Sequence, residues 1–136
     1  MKKKILSLLL AALMVLGMFA SIIVTANAEG ITYSDVNEGM WSYKDIMYVS
    51  ENGLMNGTGG GLSAPATETS RAMIVQMLYN LEGRPAVDKN NNPFTDVASG
   101  AWYTDAVLWA YQNGVTTGTS ATTFSPDALV TREQAA

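Results

Sequence analysis

The sequence predicts a mostly α-helical chain made of two tandem helix–loop–helix repeats behind an export leader. Three observations carry this: landmark residues recur at one constant spacing, apolar residues fall at helical intervals, and glycines close those intervals at matching places. Asp35-Val36 returns as Asp96-Val97, Trp41 as Trp102, Asn52-Gly53 as Asn113-Gly114, Gly57-Thr58 as Gly118-Thr119, Pro65 as Pro126 and Arg71 as Arg132, each 61 residues later. The divisions that follow are a leader over 1–28, a first repeat over 29–84, a linker over 85–93 and a second repeat over 94–136.

Lys2, Lys3 and Lys4 precede an apolar run from Ile5 to Val24, and Ala26 and Ala28 flank Asn27 at its end. This is the charged, apolar and small-residue order of a secretory leader, with cleavage expected after Ala28. The run is also long enough for a membrane span, but the A-x-A site favours removal. The chain has no Cys, which excludes a lipoprotein anchor and a disulfide framework.

In the first repeat, Ser42 is the expected N-cap, with Asp45 three residues on and Ile46 and Val49 on one face. Gly53 at C′ and Leu54 at C″ predict a Schellman stop, with Leu54 packing back on Val49. A loop rich in Gly, Ser and Thr runs from 56 to 69, too long for a simple turn. Ser70 then caps a second helix, whose apolar stripe reads as Ile74, Met77, Leu78 and Leu81. Gly83 and Pro85 end it.

The second repeat follows the same plan, with a helix from about Thr104 to Asn113, a stop at Gly114-Val115 and a loop from 117 to 130. Thr131 and Gln134 form a T-x-x-Q capping box. The helix they open has scarcely begun at Ala136 and lacks the apolar stripe of its counterpart. Further sequence is therefore expected to follow.

Removing residues 1–28 takes away three of eight basic residues and leaves 5 against 12 acidic ones, so the formal charge falls from −4 to −7. Such a chain is unsuited to nucleic acid or an anionic membrane surface. With no His and no Cys, it lacks the usual catalytic bases, thiol nucleophiles and zinc ligands, so catalysis and a cofactor are not expected. Asp88, Asn90 and Asn92 imitate the start of a calcium loop, but Pro93 occupies the required glycine position and Ser99 that of the bidentate acid. No metal site is expected.

The series Phe94-Thr95-Asp96-Val97, Trp102-Tyr103, Asn113-Gly114-Val115, Gly118, Phe124-Ser125-Pro126 and Thr131-Arg132-Glu133 resembles the S-layer homology (SLH) domain. So does the first copy, through Tyr33-Ser34-Asp35-Val36, Trp41, Gly53-Leu54, Gly57, Pro65 and Ser70-Arg71-Ala72. The resemblance implies a mostly helical module, usually present three times and assembled into a pseudo-threefold spindle. It also implies non-covalent anchoring at the bacterial cell surface to secondary cell-wall polymer associated with peptidoglycan, often a glycan bearing a pyruvate ketal. The Thr-Arg-Ala-Glu signature of the family is degenerate in both copies, and Ser63 stands where the second copy has Phe124.

Arg71 and Arg132 fall at the first position of a helix, where the macrodipole disfavours a cation. A guanidinium beside free backbone N–H groups would make an anion pocket fit for a carboxylate; pairing with Asp35 or Asp96 is the alternative. Trp41 and Trp102 offer faces for sugar stacking or for packing between repeats. Gly57 and Gly118 would admit a ligand close to the backbone or serve only as turn residues. Asp35 and Asp96 read as braces at the repeat starts. Beyond polymer binding, the chain could be the front of a larger secreted enzyme or part of a surface lattice, with further SLH repeats or copies of itself as partners.

Overall fold

The computed structural model describes residues 30–135, without the side chains at 132 and 135; the leader and its cleavage site at Ala28 lie outside the described residues. From Ile31 onward the chain forms one compact unit. It contains four helical segments: α1 (Tyr43–Glu51), α2 (Arg71–Leu81), α3 (Thr104–Gln112) and α4 (Arg132–Ala135). Among the described residues β-structure is limited to two isolated bridges, Gly59 with Leu62 and Ser70 with Leu129. No described helix is long and apolar enough to cross a membrane.

The helix stops form as the glycines predict. The Leu54 N–H donates to the Val49 carbonyl at 2.8 Å and the Gly53 N–H to Ser50 at 3.0 Å, while Val115 and Gly114 repeat the pattern on Ala110 and Tyr111. These are Schellman closures of α1 and α3. At α4, the Gln134 N–H donates to Thr131 Oγ1 at 3.3 Å and the Thr131 N–H to Gln134 Oε1 at 3.0 Å, completing the reciprocal capping box. Ser70 caps α2 by accepting from the Met73 N–H at 3.4 Å.

Two details differ from the sequence expectation. Ser42 precedes α1 but its side chain caps nothing, because its backbone is already in the helical region (φ −90°, ψ 0°). A cap oxygen reaches the third helical N–H only from an extended conformation, and here the turn from Met40 runs straight into the helix through Tyr43 N–H to Met40 O at 3.1 Å. The buried line of α2 is Ala72, Val75 and Tyr79, whereas Ile74, Met77 and Leu78 are half-buried and Leu81 is exposed. Packing against α3 selects that line, since the Tyr79 and Trp109 rings meet at 5.8 Å.

The core belongs mainly to the second repeat and to the face of α2 that it covers. Phe94 sits between Tyr111, edge-on at 5.3 Å, and Phe124 at 5.7 Å, with Val97, Ala106, Val107 and Ala110 around them. The corresponding residues of the first repeat are Tyr33, Ser50 and Ser63, and there a Tyr33 hydroxyl bond to Ser50 Oγ at 3.0 Å takes the place of the aromatic cluster. The linker is tied down as well. Gln112 accepts from the Asp88 N–H and donates to its carbonyl, and the Tyr79 hydroxyl donates to Pro85 O at 2.8 Å.

Candidate functional site

Each repeat start grips its own loop through one carboxylate. Asp35 accepts from the Ser63 and Ala64 N–H groups at 2.9 and 2.6 Å, and Asp96 accepts from Phe124 and Ser125 at 2.9 and 2.7 Å. In each pair the second donor has a left-handed backbone, φ 54° at Ala64 and φ 59° at Ser125, so the carboxylate holds a turn that L-residues disfavour. The Ser63 N–H is the chief cause that draws the Asp35 carboxyl below its ordinary value. At Asp96 burial pushes the other way, but the Phe124 and Ser125 N–H groups outweigh it and the carboxyl is again lowered. The bracing role expected of these acids is the one observed.

Arg71 pairs with neither acid. Its Nε donates to the Phe124 carbonyl at 2.9 Å and its guanidinium carbon lies 4.8 Å from the centre of the Phe124 ring. The backbone N–H groups of Arg71 and Ala72 donate to Ala128 O and Pro126 O at 2.9 and 3.0 Å, and Val130 N–H returns a bond to Thr69 O. The helix start is therefore filled by the loop of the next repeat, and the free N–H groups of the expected anion pocket are absent at Arg71. Arg132 is the first residue of α4.

A groove of about 880 Å³ lies where the repeats meet. Gly57 and Thr58 line it from the first loop, Met73, Gln76 and Asn80 from α2, and Trp102 and Asp105 from the start of the second repeat, with Arg84 and Lys89 from the connection between them. Trp102 is 61 % exposed, and Tyr103 braces it edge-on at 5.1 Å. Trp41 is 93 % exposed, and Ser42 stands in place of the bracing ring. It borders a second groove of about 230 Å³, which shares Met55, Gly57 and Thr67 with the first.

The structure thus brings Trp102 and Gly57 together and sets Trp41 on the adjoining groove, while Arg71 and Gly118 line neither. A Cβ on Gly118 would lie 2.6 Å from the Phe94 ring and 2.5 Å from Thr123 O, so this glycine is required by packing. Asn80, Arg84 and Lys89 were not singled out by sequence. The available signal was Gln76 and Asn80, four residues apart along one edge of an otherwise apolar helix, with Arg84 following just past its end. Among the described residues no group of three or more acidic side chains could hold a metal ion.

Comparison with known proteins gives this geometry a context. The profile described as the S-layer homology domain matches residues 32–72 and 93–136. Similar proteins include the S-layer protein sap of Bacillus anthracis, 29% identical over 123 residues, which are 90% of this chain and 15% of that protein. The endoglucanase of Bacillus sp. (strain KSM-635) is 30% identical over 139 residues, 98% of this chain and 14% of the enzyme. The surface-layer 125 kDa protein of Lysinibacillus sphaericus is 35% identical over 92 residues, 67% of this chain and 8% of that protein. The chain spans about 15% of the length of the first of these relatives.

Proposed function

Because this chain belongs to the S-layer homology domain family, we propose that it anchors its protein to the bacterial cell wall by binding secondary cell-wall polymer, a pyruvate-bearing glycan, without a covalent bond. The observation that carries this reading is the groove between the repeats, open to solvent and bordered by an exposed, braced Trp102. An indole face held in that way stacks on the apolar face of a sugar ring. Gln76 and Asn80 add amide groups suited to hydroxyls. A second groove with its own tryptophan, sharing a loop wall with the first, suits a chain of sugars better than a single one.

Gly57 belongs to this surface as lining. Arg71 and Gly118 serve it indirectly, by fixing the second repeat's loop against α2 and against Phe94. An anchor of this kind has no catalytic role of its own. The endoglucanase relative, aligned over nearly all of this chain, favours a second reading in which the same anchor tethers a secreted enzyme.

Co-sedimentation with purified Bacillus cell walls tests the proposal. The protein is expected to pellet with intact walls, to stay in solution with walls stripped of polymer, and to lose about tenfold in affinity on Trp102→Ala. Equal binding to intact and stripped walls would overturn the polymer assignment.

A further inference from the structure

We propose that Arg84 is the specificity residue of the groove, receiving a carboxylate carried on the bound sugar, and that Asn80 positions it. This rests on the glycan-binding reading above. Three observations on Arg84 converge. It lines the groove. Its backbone is left-handed, φ 56°, directly after Gly83 at φ 76°. Its side chain is tethered at one atom, with Nε donating to Asn80 Oδ1 at 2.8 Å.

The tether is itself fixed. Asn80 Nδ2 donates to the Leu54 carbonyl at 2.9 Å, and Asn80 Oδ1 also accepts from Gln76 Nε2 at 2.9 Å. A guanidinium held at Nε keeps its two terminal nitrogens in a set plane, the arrangement that takes a carboxylate in bidentate fashion. Among the described residues the sole ion pair is Lys89 with Asp105 at 2.8 Å. Lys89 is thereby neutralised within the groove and Arg84 is not.

A cation just past a helix C-terminus is favoured by the macrodipole, and that alone would explain a positive charge at this position. It does not explain a non-glycine residue in a conformation that glycine adopts freely, since the closing bond from the residue-84 N–H to Tyr79 O at 2.9 Å requires only a backbone. Nor does it explain the tether from Arg84 Nε to Asn80. A left-handed non-glycine residue beside a groove fits a residue used for what its side chain contacts.

The test titrates the full chain with N-acetylglucosamine methyl glycoside, with the same sugar carrying a 4,6-pyruvate ketal, and with its 6-phosphate. Arg84→Gln, Arg84→Lys and Arg84→Gly are compared with the unaltered protein. The ketal sugar is expected to bind at least about tenfold tighter than the neutral sugar. That advantage should vanish in Arg84→Gln and Arg84→Gly and be only partly kept in Arg84→Lys, which cannot use the Asn80 tether through Nε. Arg84→Gly should do so with Tm unchanged or raised, because it relieves the left-handed strain, and this separates recognition from folding.

A ketal advantage that survives Arg84→Gln and Arg84→Gly would overturn the proposal, as would a preference for the 6-phosphate. If the protein sediments with walls but shows no ketal advantage, the Arg84 assignment falls and the polymer reading stands. If it fails to sediment with walls, both fall.

Discussion

At Gly118 the backbone has φ 82°, and the space a Cβ would fill is already taken by Thr123 O, Ser120 O and the Phe94 ring. Two penalties therefore coincide, a left-handed conformation and contact with backbone that cannot move aside. Gly118→Ala should destabilise the protein by roughly 3 kcal/mol, read as a fall in the urea midpoint without a change in slope. A loss below about 0.5 kcal/mol would mean that the loop relaxes freely. The recurrence of Gly57 and Gly118 was legible as a pattern. The reason for it was not, because a ring and two carbonyls brought together by the loop fold leave no mark at the glycine itself. Arg71 teaches the same lesson: helix position and charge suggested a ligand, but the groups that answer it are a carbonyl and a ring of Phe124 in the following repeat.

Matching elements of the two repeats sit in different surroundings, and their energetics should differ accordingly. In α3, Ala106 to Ala110 are all buried, and Trp109 is 8 % exposed against Tyr79 of α2. In α1, the buried residue is Ser50, and Tyr48, the counterpart of Trp109, is 63 % exposed. Trp109→Ala should cost about 3–5 kcal/mol through lost burial and the cavity left behind. Tyr48→Ala should stay within about 0.5 kcal/mol. Parallel urea titrations of the two variants check this, and equal losses would show that the face of α1 is as tightly packed as that of α3. Helix ends were readable from sequence because a Schellman closure needs only a glycine and an apolar residue at fixed places. The buried face of α2 was not, because apolar side chains point from this helix in two directions. Met73 and Met77 face the groove while Val75 and Tyr79 meet α3, and a count of apolar spacing cannot tell the two destinations apart.

Across the whole molecule backbone bonds at the head of α2 join the two repeats, and a carboxylate hook closes the loop within each repeat. The repeat architecture was legible because its landmarks recur in register, and so were Trp102 and Gly57 as surface candidates. The interlock was hidden because it runs through the carbonyls of Pro126 and Ala128, which any sequence supplies, and Arg84 was hidden because a lone cation after a helix stop carries no mark of the groove it lines. The hooks make acid the condition that loosens the unit. Both Asp35 and Asp96 have carboxyls lowered from 3.8 in the folded chain, so their contribution is complete above that value and is lost as pH falls through the lower folded values. Acid also reduces the net negative charge, which relieves self-repulsion and acts in the opposite direction. The hook is therefore isolated by difference. Asp96→Asn, which keeps one acceptor oxygen and does not titrate, should be less stable than the unaltered protein at pH 7, and the gap should close as pH falls below about 4. Urea midpoints of the two proteins at pH 7, 5, 4 and 3 decide it. A gap that stays constant down to pH 3 would show that Asp96 acts by shape alone, and that its charge does not hold the loop of the second repeat to that repeat's start.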